Sequence, residues 1–186
     1  MIYSSHTAVL DANVLYPAPL RDLLLHLADV ELYEPKWTKE IQEEWIRSLL
    51  LKRIDLKRAN LEKTREAMDS AFPGANVVDY EEIISGIFLP DNNDRHVLTA
   101  AIKVNADVIV TFNIKDFPTA YLKPFGIEVY HPDEFNTGLI KFDKQSSIIA
   151  FRNQVKNLRF PSKSEEEVLI SLAKCGLVNC LEELKK

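Results

Sequence analysis

The sequence predicts an α/β protein in which helices cover both faces of a parallel sheet. Three apolar runs carry the prediction: Ala8-Val9-Leu10, Ala106-Asp107-Val108-Ile109-Val110-Thr111 and Gly126-Ile127-Glu128-Val129-Tyr130. Each reads as a buried strand, and the stretches between them show helical spacing. Strands alternating with helices imply parallel pairing with both faces covered.

In chain order, residues 19–29 place Leu20, Leu23, Leu24 and Leu27 at helical spacing, with Pro19 suited to the first turn. Residues 31–34 suggest a short strand that stops at Pro35. Thr38 is an N-cap for a helix to about residue 53, with Ile41, Trp45 and Leu49 on one face. A helix over about 55–70 ends before Pro73-Gly74. Val77-Val78 forms a minor strand and residues 80–88 a short helix. The polar loop Pro90-Asp91-Asn92-Asn93-Asp94 leads into a helix over about 95–104, and Pro132 opens another short one. From about residue 141 the apolar strands stop. Ser164 and Glu167 fit a capping box, Gly176 ends that helix, and Leu177, Cys180, Leu181 and Leu184 make one more stripe. The expected division is a sheet domain at 1–140 and a C-terminal helical extension at 141–186. That extension covers the sheet domain or offers an apolar face to a second chain, as in a homodimer.

A chain of 186 residues, 46% apolar and 27% charged, suits one globular domain with a helical appendage. Its net charge of −5 argues against a broadly basic surface but leaves room for local patches. No basic-then-apolar leader opens the chain, and no apolar run nears the roughly 20 residues that span a bilayer. Cys175 and Cys180 have neither redox-pair nor zinc spacing. The expectation is a cytoplasmic protein with reduced thiols and no membrane partner.

The chemistry lies in carboxylates. Asp11 and Asp116 follow buried strands closely, so both belong at the carboxyl edge of the sheet, where open α/β sheets place ligands. Asp94 opens the helix that precedes the second of these strands, and Glu44 can reach over the same edge. Each has a structural alternative. Asp94 suits an N-cap, Asp116 a turn, and Glu44 a solvated helix face on which Glu40 and Glu43 are equally good. Two carboxylates about 6 Å apart repel by about 3 kcal/mol at an effective dielectric of about 20, so such a cluster calls for divalent cations. Oxygen-only ligands favour Mg²⁺ or Mn²⁺. Asn13, Asp91, Thr111 and Asn113 are supporting candidates that orient a water or a carboxylate, or else satisfy their own turns. His96 is read as packing or capping locally. The loop at 90–94 lacks the central Gly and distal Glu of a calcium loop.

Four segments together resemble the PIN-domain nucleases, most of all the VapC-like bacterial toxin branch. They are Val9-Leu10-Asp11-Ala12-Asn13-Val14-Leu15, Glu43-Glu44-Trp45, the run Asp91-Asn92-Asn93-Asp94-Arg95-His96-Val97-Leu98-Thr99-Ala100-Ala101, and Val110-Thr111-Phe112-Asn113-Ile114-Lys115-Asp116-Phe117-Pro118. The resemblance covers about residues 5–135. It implies a three-layer α/β/α fold and a Mg²⁺- or Mn²⁺-dependent ribonuclease whose four acids match Asp11, Glu44, Asp94 and Asp116. It also implies a cognate antitoxin that holds the enzyme inactive, and transfer or ribosomal RNA as substrate. The helical tail lies outside the shared core.

On that reading one ion activates a water in line with a phosphodiester, and a second, roughly 4 Å away, stabilises the leaving 3′ oxygen. Asp11, Asp94 and Asp116 ligate; Glu44 ligates or helps deprotonate the water. Products carry a 5′-phosphate and a 3′-hydroxyl. Residues 52–65 supply a basic surface for RNA, with Lys52, Arg53, Lys57 and Arg58 as contacts beside Lys63 and Arg65, against Asp55 and Glu62. A solvated helix face is the plainer alternative. Residues 156–163 are a second basic segment. Two rival classes stay open. One is a phosphotransferase using Asp11 as nucleophile, although Asn13 stands where its phosphohydrolase version expects Asp. The other is a non-catalytic PIN-like module acting through a protein or RNA partner.

Overall fold

Uninterrupted apolar triplets set the centre of the sheet. In chain order the computed structural model has β1 (Thr7–Leu10), α1 (Ala12–Leu15), α2 (Ala18–Asp29), β2 (Glu34–Thr38), α3 (Lys39–Lys52), α4 (Arg58–Ala71) and β3 (Asn76–Val77). There follow α5 (Arg95–Lys103), β4 (Val108–Val110), α6 (Thr119–Leu122), β5 (Glu128–Tyr130), α7 (Pro132–Phe142), α8 (Lys144–Asn157), α9 (Glu165–Lys174) and α10 (Asn179–Lys185). The structure describes residues 6–159 and 161–186. Residues 1–5, which the leader reading and the expected sheet domain include, and residue 160 of the second basic segment lie outside the described residues.

The five strands run β3-β2-β1-β4-β5. Central β1 and β4 pair in parallel, with Ala8 opposite Val108, Val9 opposite Ile109 and Leu10 opposite Val110. All six are buried, as strands covered on both faces must be. β4–β5 and β2–β3 are also parallel. With its parallel sheet and flanking helices, the protein has the α/β/α sandwich class expected. The order turns around between β1 and β4, a switch point of the kind at which such sheets bind ligands.

Two compact units divide the chain. One holds residues 7–16 and 35–130; the other holds His6, Pro17–Glu34 and His131–Lys186. In the first, Thr38 caps α3, its side chain accepting the Ile41 N–H at 3.1 Å. Trp37 donates its indole N–H to Asp69 at 2.8 Å and meets Phe72 edge to face. In the second, Leu20, Leu23, Leu24 and Leu27 of α2 are buried, and Tyr33 packs edge to face on Phe135 at 5.0 Å. Gln154 of α8 donates to the Pro19 carbonyl at 2.8 Å. The Ser164–Glu167 capping box forms in both directions, and Gly176 takes φ +85° just past α9. Among the described residues no helix is long and apolar enough to cross a membrane.

Several local expectations shift. The strand expected at 31–34 lies at Glu34–Thr38 instead and includes Pro35. A proline is tolerated near a strand start, where its missing N–H leaves little unpaired. Residues 31–33 instead close the turn behind α2, with Glu31 at φ +60° and its N–H on the Ala28 carbonyl. The helix expected at 80–88 is a 3₁₀ segment, Glu81–Gly86. The helix opened by Pro132 has 11 residues. The 14-residue α8, a helix of the extension to which the sequence reading gave no bounds, is capped by Asp143, whose carboxylate accepts the Ser146 N–H at 2.9 Å.

α10 has an apolar N-cap residue, Val178, so its first N–H groups need an outside acceptor. Asp133 of α7 supplies it. Oδ2 accepts from Asn179 N at 3.0 Å and Nδ2 at 2.8 Å, and Oδ1 from Cys180 N at 2.9 Å. Burial pushes the Asp133 carboxyl up, but the Cys180 and Asn179 donors outweigh it and hold it below its usual 3.8. The stabilisation is therefore present above that pH and is lost as pH falls. Asp133→Ala is expected to cost about 2 kcal/mol near neutral pH in urea unfolding, and less in acid. Equal stability of the two proteins at pH 7 would refute the capping role.

Candidate active site

Where β1 and β4 end side by side, the next residue of each strand is polar. Asp11 extends the ladder by donating its backbone N–H to the Val110 carbonyl at 3.1 Å, then accepts Val14 N at its own carbonyl as α1 begins. The residue is only 5% exposed. Oδ2 accepts from Thr111 Oγ1 and from Asn13 Nδ2, each at 2.6 Å. Thr111, fully buried, accepts in turn from Asn13 Nδ2 at 2.9 Å and from Asn113 N at 3.0 Å. Asn13 Oδ1 accepts the Phe112 N–H at 3.1 Å. The three side chains thus tie the two strand ends together with neutral donors.

Above this floor lies a cavity of about 450 Å³ whose wall includes Asp11, Asn13, Glu44, Asp94 and Asn113. Asp94 occupies the N-cap position of α5, but its side chain makes no capping bond. Burial, followed by the charges of Asp11, Asp91 and Asp116, pushes its carboxyl up to about 7. Burial also raises Asp11, partly offset by the Thr111 hydrogen bond, and the Glu44 charge adds to the rise. Asp116 ends the 3₁₀ turn Ile114–Asp116 and is not in the wall, although its charge reaches Asp94. Asp91 is exposed and accepts the Asn93 N–H at 2.8 Å, a local turn role.

Among the three glutamates of α3, tertiary contacts divide the roles. Glu43 pairs with Arg58 at the surface. Glu44 enters the cavity wall. Glu40 lines an adjoining cavity with Glu44, Arg47 and His96. His96 is buried, not merely a local cap, with Nε2 3.4 Å from Glu44 Oε1 and Nδ1 3.8 Å from Glu40 Oε2. Burial lowers its pKa, but the Glu44 hydrogen bond and the surrounding carboxylates outweigh this and raise it.

Of the basic residues singled out from sequence, Lys52 is in the wall, its Nζ 5.2 Å from the centroid of the Tyr16 ring. Arg53 is held bidentate by Asp55 at 2.8 and 2.6 Å, and Arg58 by Glu43 and Glu62. Lys57 is exposed at the start of α4. Sequence reasoning missed Arg47, Ser48 and Tyr16, which also line the cavity. A signal existed. Positions 44, 47, 48, 51 and 52 fall on one helical face, beside the buried Ile41 and Trp45.

The donor set suits a hard dication. Among the described residues, no Lys or Arg ion-pairs with Asp11, Glu44, Asp94 or Asp116, and neighbouring carboxylates add to the raised pKa of Asp11 and Asp94. The tightest cluster is a different one: Glu40, Glu44 and His96 bring their ligand atoms within 4.8 Å of one another.

A family model described as PIN domain matches residues 7–115, and one described as VapC50 C-terminal domain matches residues 132–186. Among curated proteins, "Putative ribonuclease VapC50" of Mycobacterium tuberculosis is 57% identical over 42 residues, 23% of this chain and 25% of that protein. The matched stretch thus spans about a quarter of that relative's length. No solved structure matches.

Asp94 gives the site a pH signature. Its folded pKa of about 7 lies above the ordinary 3.8, so its contribution to stability is full below pH 3.8 and is lost as pH rises through about 7. In chelator, the melting temperature of the parent should fall across that window more steeply than that of Asp94→Asn. Parallel curves in calorimetry would refute the shift.

Proposed function

The chain belongs to the PIN-domain family, and from that premise we propose that it is a Mg²⁺- or Mn²⁺-dependent endoribonuclease of VapC type, the toxin of a toxin–antitoxin pair. One observation carries the reading. Asp11, Glu44 and Asp94 share a cavity wall with Arg47 and Lys52, yet none of these acids is ion-paired to a Lys or Arg among the described residues. Acids that no Lys or Arg neutralises, with Glu44 reaching only the His96 imidazole, suit a metal ion on one side and a phosphodiester on the other.

When bound, the dication supplies positive charge at the scissile phosphate and makes water nucleophilic near neutral pH. Asp11, Glu44 and Asp94 would hold it, with the charge of Asp116 acting on Asp94. Thr111 and Asn13 fix the Asp11 carboxylate in one orientation through Oδ2. Arg47 and Lys52 attract and orient the RNA backbone. The Tyr16 ring, with Lys52 over it, offers a stacking face for a base. Arg53 and Arg58, already paired to acids, contribute less than their charge suggests. On the same reading residues 1–140 are the nuclease domain and 141–186 the appended helices. The partners are a transfer or ribosomal RNA and a cognate antitoxin, and the setting is the cytoplasm.

Incubation with total RNA tests this. Cutting should require Mg²⁺ or Mn²⁺ and should fall at least about 100-fold in Asp11→Asn and Asp94→Asn. Arg47→Ala should lower kcat/KM roughly tenfold and flatten its salt dependence. Folded protein that leaves RNA intact with either cation would instead favour a non-catalytic binding module.

A further inference from the structure

The adjoining cavity, about 590 Å³, is lined by Glu40, Glu44, Asn92, Asn93, Arg95 and His96 among others. It is chemically unlike the Asp11 site, because one of its walls is an imidazole. His96 is 4% exposed, and its Nδ1 has no hydrogen-bond partner among the described residues. A buried ring nitrogen left in that state calls for an explanation. Glu40 and Glu44 stand four residues apart on α3, so both project toward the start of α5, where His96 lies.

We infer that Glu40, Glu44 and His96 form a second cation site, one that takes a first-row transition dication of the zinc class in preference to Mg²⁺. The spacing supports it. Donors about 2.1 Å from a tetrahedral ion stand about 3.4 Å apart. Nε2 lies 3.4 Å from Glu44 Oε1 and Nδ1 lies 3.8 Å from Glu40 Oε2, and one ring nitrogen with one oxygen from each glutamate falls within 4.8 Å, a spacing that a bound ion would tighten. Glu40 Oε2 is oriented from behind by the Tyr80 hydroxyl at 3.2 Å, as ligating carboxylates usually are. Three protein donors leave a fourth position open to the cavity. A nitrogen donor beside two carboxylates suits zinc, cobalt or manganese, whereas Mg²⁺ prefers an all-oxygen octahedron.

The site shares Glu44 with the Asp11 cavity but takes Glu40 and His96 as well and needs no nuclease activity, so the test runs without RNA. The full chain carrying Asp11→Asn and Asp94→Asn, which disables the first site, is titrated with Zn²⁺ by calorimetry and with Co²⁺ by visible absorption. One ion per chain is expected, with cobalt bands of four- or five-coordinate intensity that millimolar Mg²⁺ does not displace. Adding His96→Gln should abolish the bands, and adding Glu40→Gln should weaken binding at least tenfold. Glu40 is half-exposed, so its variant is informative even where the histidine variant does not fold. No stoichiometric uptake, uptake unchanged by Glu40→Gln, or displacement by Mg²⁺ would overturn the site and leave His96 as an imidazolium clamp for Glu44. RNA cutting by the parent is scored separately, so either reading can fail while the other survives.

Discussion

A buried carboxylate without a cation is the constraint around which this protein is arranged. Asp11 is placed at the end of β1 by the same register that sets Leu10 opposite Val110 and brings Thr111 alongside. Slipping that pairing by one residue would turn Thr111 to the opposite face and strip Asp11 of its donor. Burying an ion in this way costs several kcal/mol, and short bonds from a hydroxyl and an amide return only part of it. A purely structural position would be better served by an apolar residue. Carboxylates held at raised pKa in a cleft are instead the usual mark of a working site.

Charge is distributed to match. Arg53 and Arg58 are tied to Asp55, Glu43 and Glu62 at the surface, where such pairs contribute little to stability and are readily screened. Arg47 and Lys52, on the face of α3 that meets the cavity, have no ion pair among the described residues. A chain of net charge −5 thus sets Arg47 and Lys52 beside Asp11, Glu44 and Asp94 in one cavity wall. Counting basic residues along 52–65 finds the charge but not its pairing, since Asp55 and Glu62 pair locally with Arg53 and Arg58, and Glu43 reaches Arg58 from α3.

The legible parts of the sequence were those governed by local rules. Strand ends at Asp11 and Thr111 followed from apolar runs, Thr38 and Ser164 from capping, and Gly176 from the positive φ it adopts. The choice among Glu40, Glu43 and Glu44 was not legible, since one solvated helix offers three equivalent positions until Arg58 claims Glu43. Helix α8 escaped for a related reason. Its buried residues are Ser147, Ala150, Phe151 and Gln154, half of them polar, so the inward stripe has little hydrophobic signal. His96 looked local because its partners lie on a distant helix. Its burial against Glu40 and Glu44 exists only once α3 and α5 come together.

Glu44 joins the two cavities, and that position limits what either can do alone. On one side it faces Asp11 and Asp94, an oxygen-only set suited to a hard ion; on the other it faces an imidazole. A carboxylate has two oxygens, so it can serve both sides only if each keeps one, and an ion on the imidazole side withdraws electron density from the other oxygen. The same ion also relieves part of the repulsion that raises Asp11, because Glu44 is one of its causes. The two environments are therefore coupled through a single side chain. If both proposals hold, ion preference at the acidic floor would depend on what occupies the histidine side as well as on the acids themselves.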